Sequence, residues 1–210
     1  MQATLTFLEA RILGVLIEKE KTTPDAYPLT LNSLTAGCNQ KSAREPVSNV
    51  VDSEVQTALE ELRQRVLVLE TYGASGRVLR YAQNFARVYG LPAASVALLA
   101  ILVLRGAQTV SELRANSERL YRFEDSSSVE AYLEELAARS SGALVARLAK
   151  QAGSREHRWV HLLCGDATLP LDAAIRETAP EAFLEERVTR LEAEVAALRS
   201  AIGQLVRESG

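Results

Sequence analysis

An internal repeat constrains this chain more than any other feature. From Leu5 to Ala82 the apolar pattern reads helix, helix, helix, strand, strand, and from Leu91 to Leu163 the same order returns. The first helix begins at Thr6. Leu5, Leu8, Ile12 and Val15 keep helical spacing, and Thr6 with Glu9 has the spacing at which each side chain satisfies the other's backbone N–H. The helix runs to about Lys21, where Thr22-Thr23-Pro24-Asp25 stops it. A second helix is predicted over Leu31–Cys38 and a third over Glu54–Arg65, with Ser53 and Gln56 as a capping pair. Val66–Leu69 and Val78–Ala82 then flank Gly73-Ala74-Ser75-Gly76, the pattern of a hairpin.

In the second copy the helices are Leu91–Leu104, Thr109–Asn116 with Thr109 and Glu112 as its box, and Ser128–Arg139 with Ser127 and Glu130. Strands follow at Leu144–Leu148 and His157–Leu163, around Gly153-Ser154. The letters repeat as well as the pattern. Val55–Leu62 aligns with Val129–Leu136, Thr30–Leu34 with Thr109–Leu113, and Arg77, Arg80 and Tyr81 with Arg155, Arg158 and Trp159.

Three helices closed by a hairpin make the winged-helix form of the helix-turn-helix, whose third helix is the usual recognition element. The predicted class is therefore mainly α with small β-hairpins (α+β): two tandem winged-helix domains, at residues 1–90 and 91–165. Each is long enough to bury a core of its own. A linker at 166–181 contains Pro170 and Pro180, and a coiled-coil tail covers 182–210. In the tail, Val188, Val195 and Ile202 fall at heptad position a, and Leu184, Leu191, Leu198 and Leu205 at d. That chemistry favours a parallel pair. Arg187 would face Glu192 of a partner copy, and Glu194 would face Arg199, both opposite in sign. A homodimer through this seam is expected, with a single amphipathic helix docked on its own chain as the other outcome.

Several classes are excluded. The N-terminus lacks the basic stretch, apolar core and small-residue site of a signal peptide. The uncharged run Leu91–Leu104 is too short to span a bilayer and reads as a buried helix. Cys38 and Cys164 stand far apart outside any CxxC pattern, as in a reducing cytoplasm. His157 and His161 share a strand face without a third ligand nearby, so no metal and no cofactor is expected. No phosphate-binding glycine loop, HExxH or GxSxG is present, and Ser126-Ser127-Ser128 reads as helix capping. The chain is expected not to be an enzyme.

Binding is the remaining class, and charge weighs against DNA. Residues 1–90 hold ten basic and ten acidic side chains, and 91–167 hold nine of each. The predicted third helices carry Glu54, Glu60 and Glu61, then Glu130, Glu134 and Glu135. Acidic helices repel the phosphates that supply most non-specific affinity. The hairpins are better candidates for a nucleic-acid contact, through Arg77, Arg80, Lys150, Arg155 and Arg158. The stretch 39–49 replaces a tight turn with an ordered polar loop, where Asn39, Gln40, Lys41, Arg44 and Glu45 form either a binding surface or a capping network.

Several strings have a family look: Leu8-Glu-Ala-Arg, Glu18-Lys-Glu, Thr23-Pro-Asp, Tyr27-Pro-Leu, Cys38-Asn-Gln-Lys-Ser and Arg44-Glu-Pro, then Leu104-Arg-Gly-Ala-Gln-Thr, Glu112-Leu-Arg, Arg119-Leu and Arg122-Phe. Across about residues 5–165 the chain resembles the YceH-like family, bacterial proteins of unknown function with two winged-helix domains. The resemblance implies the fold and carries no catalytic residue. Two functions follow from the whole reading: a dimeric DNA-binding transcriptional regulator, or a protein–protein adaptor that uses winged helices without DNA.

Overall fold

The computed structural model describes residues 4–72, 76, 78–150 and 156–165. The fold is mainly helical with two small antiparallel sheets. Helix α1 spans Phe7–Thr22, and the Thr6–Glu9 box forms: the Thr6 N–H donates to Glu9 Oε2 at 2.6 Å, and the Glu9 N–H to Thr6 Oγ1 at 3.2 Å. A 3₁₀ turn at Pro24–Ala26 follows, then α2 at Leu31–Cys38, capped by Thr30. Helix α3 spans Asp52–Gln64.

Here the predicted cap is wrong. Ser53 lies inside α3; the N-cap is Val51, which has no side-chain acceptor, and Glu54 serves it by accepting from the Val51 N–H at 2.8 Å. The end of α3 is equally specific. The Val66 N–H bonds Arg63 O and the Leu67 N–H bonds Leu62 O, closing the helix with Val66 at φ 58°. A β-branched residue in that region is strained, and the closure is held by the burial of Leu62 and Leu67.

Strands β1 (Val68–Tyr72) and β2 (Leu79–Gln83) pair antiparallel, Tyr72 opposite Leu79. Helix α4, Phe85–Tyr89, ends at Gly90 with φ 62°, and α5 spans Ala93–Arg105 behind Pro92. Strand β3 is Gln108–Thr109, and α6 is Val110–Ser117 with the expected Thr109–Glu112 box. Helix α7, Ser126–Ala137, starts earlier than predicted. Its box joins Asp125 to Ser128 rather than Ser127 to Glu130. Strands β4 (Val145–Arg147) and β5 (Arg158–His161) complete a second sheet in the order β3-β5-β4.

The two sheets are separate, and the repeats correspond at a position that sequence patterning did not reveal. Leu29, just before the Thr30 cap, bridges Tyr81 in β2; Gln108, just before the Thr109 cap, pairs with Trp159 in β5. Tyr81 and Trp159 are the residues that align between the copies.

The core runs continuously from one repeat into the other. Helix α1 is buried on every side from Glu9 to Ile17, and α5 from Ala94 to Leu104, because the two helices pack on each other as well as on their own repeats. Gly14 permits that approach: a Cβ there would lie 3.1 Å from both Leu104 and Val103 side-chain atoms. The described residues all fall in one compact unit. None of the described helices is long and apolar enough to cross a membrane.

Candidate functional site

The 39–49 loop is a strap that fastens the first repeat to α5. Asn39 closes its neck, with Nδ2 donating to Val50 O at 2.7 Å and Oδ1 accepting from the Val50 N–H at 2.8 Å. Ser48 Oγ donates to Cys38 O at 2.9 Å. At the far side the Glu45 N–H donates to Leu104 O at 2.7 Å, the direct tie to the second repeat.

Arg44 holds the strap from inside. Its side chain is fully buried; Nε donates to Gly37 O at 3.1 Å and Nη1 to Ala43 O at 2.8 Å. Nη1 and Nη2 reach Glu18 Oε1 and Oε2 at 3.3 and 2.6 Å, a two-pronged ion pair. A second buried guanidinium, Arg11, donates to Pro46 O at 2.8 Å and lies over the Phe7 ring. Burial, then the like charge of Arg44, lowers its pKa. Of the five residues predicted for this loop, Asn39 and Arg44 are therefore spent on structure, Lys41 and Glu45 are exposed, and Gln40 borders a groove.

That groove, of about 460 Å³, lies between the C-terminal ends of α1 and α5, the strap, and the turn after α6. Lys19, Arg105 and Arg119 bring three cations to it; Gln40 and Asn116 add amides, and Ile101 with Leu120 an apolar portion. Its one carboxylate is Glu18, already engaged by Arg44. Lys19 Nζ sits 3.5 Å from both Glu18 Oε2 and Gln40 Oε1. Among the described residues no hydrogen bond or ion pair holds the side chain of Arg105 or Arg119. The sequence named these two only as members of the family strings. Their segments lie far from Lys19 along the chain, so no spacing could have joined them.

The residues predicted for the hairpin contacts fare differently. Arg80 Nη1 donates to Pro28 O at 2.7 Å, locking the hairpin to the loop before α2. Arg158 Nη2 donates to Glu112 Oε2 at 3.0 Å. Lys150 is exposed. Arg77, Arg155 and the whole tail seam, from Leu184 to Leu205, lie outside the described residues.

The third helices are more acidic than their sequence limits suggest. Helix α3 carries four carboxylates against Arg63, and α7 three carboxylates and no cation. Arg63 pairs with Glu60, and Arg147 of β4 lies 3.6 Å from Glu134. Arg65 and Arg139, predicted as the helix ends, fall beyond them: Arg65 lies 3.8 Å from Glu9, and Arg139 Nη2 donates to Tyr89 O at 2.9 Å.

Nucleophilic groups are quiet. Burial pushes the Cys38 thiol up to about 12 and Cys164 up to about 11, far from thiolate chemistry at neutral pH. Burial takes His161 down to about 4, so its ring is neutral in that range. Among the described residues no three His, Cys, Asp or Glu side chains gather to hold a metal.

Comparison with known proteins agrees with the family strings. A family described as "Protein of unknown function, DUF480" matches residues 5–154. A UPF0502 protein of Acidovorax sp. (strain JS42) is 52% identical over 218 residues, covering 98% of this chain and 94% of that protein. One from Leptothrix cholodnii is 52% identical over 219 residues, covering 100% and 97%. One from Burkholderia cenocepacia (strain HI2424) is 52% identical over 214 residues, covering 98% and 89%. The chain therefore belongs to this bacterial family of unknown function, DUF480 or UPF0502, the YceH-like group whose strings its sequence carries.

Proposed function

We propose that the protein is a non-catalytic adaptor. Two winged-helix units, at 1–90 and 91–165, present their acidic third helices to a basic surface on a protein partner. The observation that carries this reading is the charge of the exposed faces of α3 and α7, seven carboxylates against one guanidinium that is itself paired with Glu60. A duplex would meet like charge there, and the wing arginines Arg80 and Arg158 are already committed within the chain. A Lys- or Arg-rich protein surface is complementary to the same faces. The heptads at 184–205 extend the proposal: pairing two copies would double the acidic faces on one assembly and raise avidity.

The test uses tagged full-length protein in extract of its native cells. A captured protein should survive nuclease treatment and be lost when Glu61, Glu130 and Glu135 are changed to Lys. These glutamates are exposed, so the change should spare the fold. Captured material that disappears with nuclease, or that ignores the charge reversal, contradicts the adaptor reading.

A further inference from the structure

The geometry points to the groove between the ends of α1 and α5 as a binding site for a small phosphorylated ligand with at least two negative charges. It shares no residue with the acidic helices, so it stands apart from the adaptor reading.

The first argument is the local charge. In a chain of net charge −3, Lys19, Arg105 and Arg119 line one concavity. Glu18, the opposing carboxylate, is neutralised by the fully buried Arg44 through two hydrogen bonds. The three remaining cations exceed what a monocarboxylate would balance and suit a phosphate monoester or diphosphate, which carries close to two charges or more at neutral pH.

The second argument is that Lys19 and Arg105 are not explained by the helix ends beside them. Helix C-termini attract cations through unsatisfied carbonyls. Here Lys19 O already accepts from the Thr23 N–H at 3.0 Å and from Thr23 Oγ1 at 3.2 Å, and Glu18 O from Thr22 Oγ1 at 2.9 Å. At the end of α5, Leu102 O accepts from the Gly106 N–H at 2.9 Å and Leu104 O from the strap at 2.7 Å. With these carbonyls satisfied, the guanidiniums of Arg105 and Arg119 keep their planar donor forks available for an oxyanion.

The third argument is shape. A volume of about 460 Å³ falls in the range of small-molecule sites, with Ile101 and Leu120 offering apolar surface to the ligand's organic part. The site draws on α1, the strap, α5 and the turn after α6, so an occupant would clamp the first repeat to the second.

The experiment is calorimetric titration of the full-length protein with inorganic pyrophosphate as probe, at about 100 mM salt. Saturable binding is expected, weakened at least about tenfold in Arg105→Gln/Arg119→Gln by the loss of charged hydrogen bonds. Lys150→Gln, at an exposed cation outside the groove's lining, should bind like the parent. Pyrophosphate should raise the unfolding temperature of the parent and leave that of the double variant unmoved, while the two unfold alike without it. Arg119→Lys, which keeps the charge and loses the fork, should fall between the parent and the double variant. The proposal is overturned by absence of saturable binding up to about 10 mM, by equal weakening in Lys150→Gln, or by displacement of pyrophosphate by a short DNA duplex, which would assign the groove to a nucleic-acid backbone.

Discussion

Replacing Arg44 with Met should lower the free energy of unfolding by about 3–5 kcal/mol, the usual cost of breaking a buried ion pair by removing one partner. Arg44 supplies both prongs to Glu18 and also satisfies the carbonyls of Gly37 and Ala43. Met would fill part of the volume and leave those acceptors without a donor. Glu18, 14% exposed, would retain only the 3.5 Å contact with Lys19. Arg44→Lys should fall between, because an ammonium keeps the charge and loses the fork. Urea unfolding of the three proteins measures this. A loss below about 1 kcal/mol in Arg44→Met, typical of an exposed pair, would mean that the strap does not depend on this network.

The second large effect is with pH. His161 in β5 is 6% exposed, and burial takes its pKa down to about 4 from 6.5. The unfolded chain therefore binds a proton near pH 6.5 that the folded chain refuses until about pH 4. Above 6.5 the imidazole is neutral in both states and contributes no pH dependence. Between 6.5 and 4 the unfolded state holds more protons, so stability falls as pH falls, by up to about 3 kcal/mol in total. His161→Leu should lose less stability than the parent across that window, and the difference between the two curves isolates the histidine from the carboxylates. Parallel curves from pH 7 to 4 would contradict a buried neutral imidazole.

What the sequence revealed and what it hid divide along physical lines. The boxes at Thr6 and Thr109 were legible because a cap is a contact between near neighbours. At α3 and α7 two adjacent starts competed, and local spacing could not choose between them. The helices begin earlier, at Asp52 and Ser126, and Val55 and Val129 are buried in the core. Strand β3 and the Leu29 bridge are too short to show a period of two, and α4 is too short to show one of 3.6. That the uncharged run Leu91–Leu104 would be buried was plain from composition, and it is buried from Ala94 to Leu104, while Pro92 and Ala93 at its start are exposed. That its second face would meet α1 was not, since Gly14 announces a close approach only once its neighbours are known.

The candidate site was legible in parts. The loop at 39–49 stood out by its length and polarity. The inward turn of Arg44 was hidden, because its partners Glu18 and Gly37 belong to other helices. Arg80 and Arg158 were correctly placed on the hairpins, yet folding supplies acceptors at Pro28 and Glu112 that no linear pattern predicts. The groove gathers side chains from four separate segments, and only the fold brings Lys19, Arg105 and Arg119 to one concavity.

The claim that these helix-and-hairpin units face protein rather than duplex is tested most directly by fluorescence anisotropy of full-length protein against a random duplex at about 150 mM salt. The account predicts binding in the micromolar range or weaker, with a Kd no tighter than about 1 μM, the strong limit of ordinary non-specific affinity. Sub-micromolar binding that weakens steeply with added salt would show that the acidic faces of α3 and α7 do not govern the encounter, and would contradict the claim.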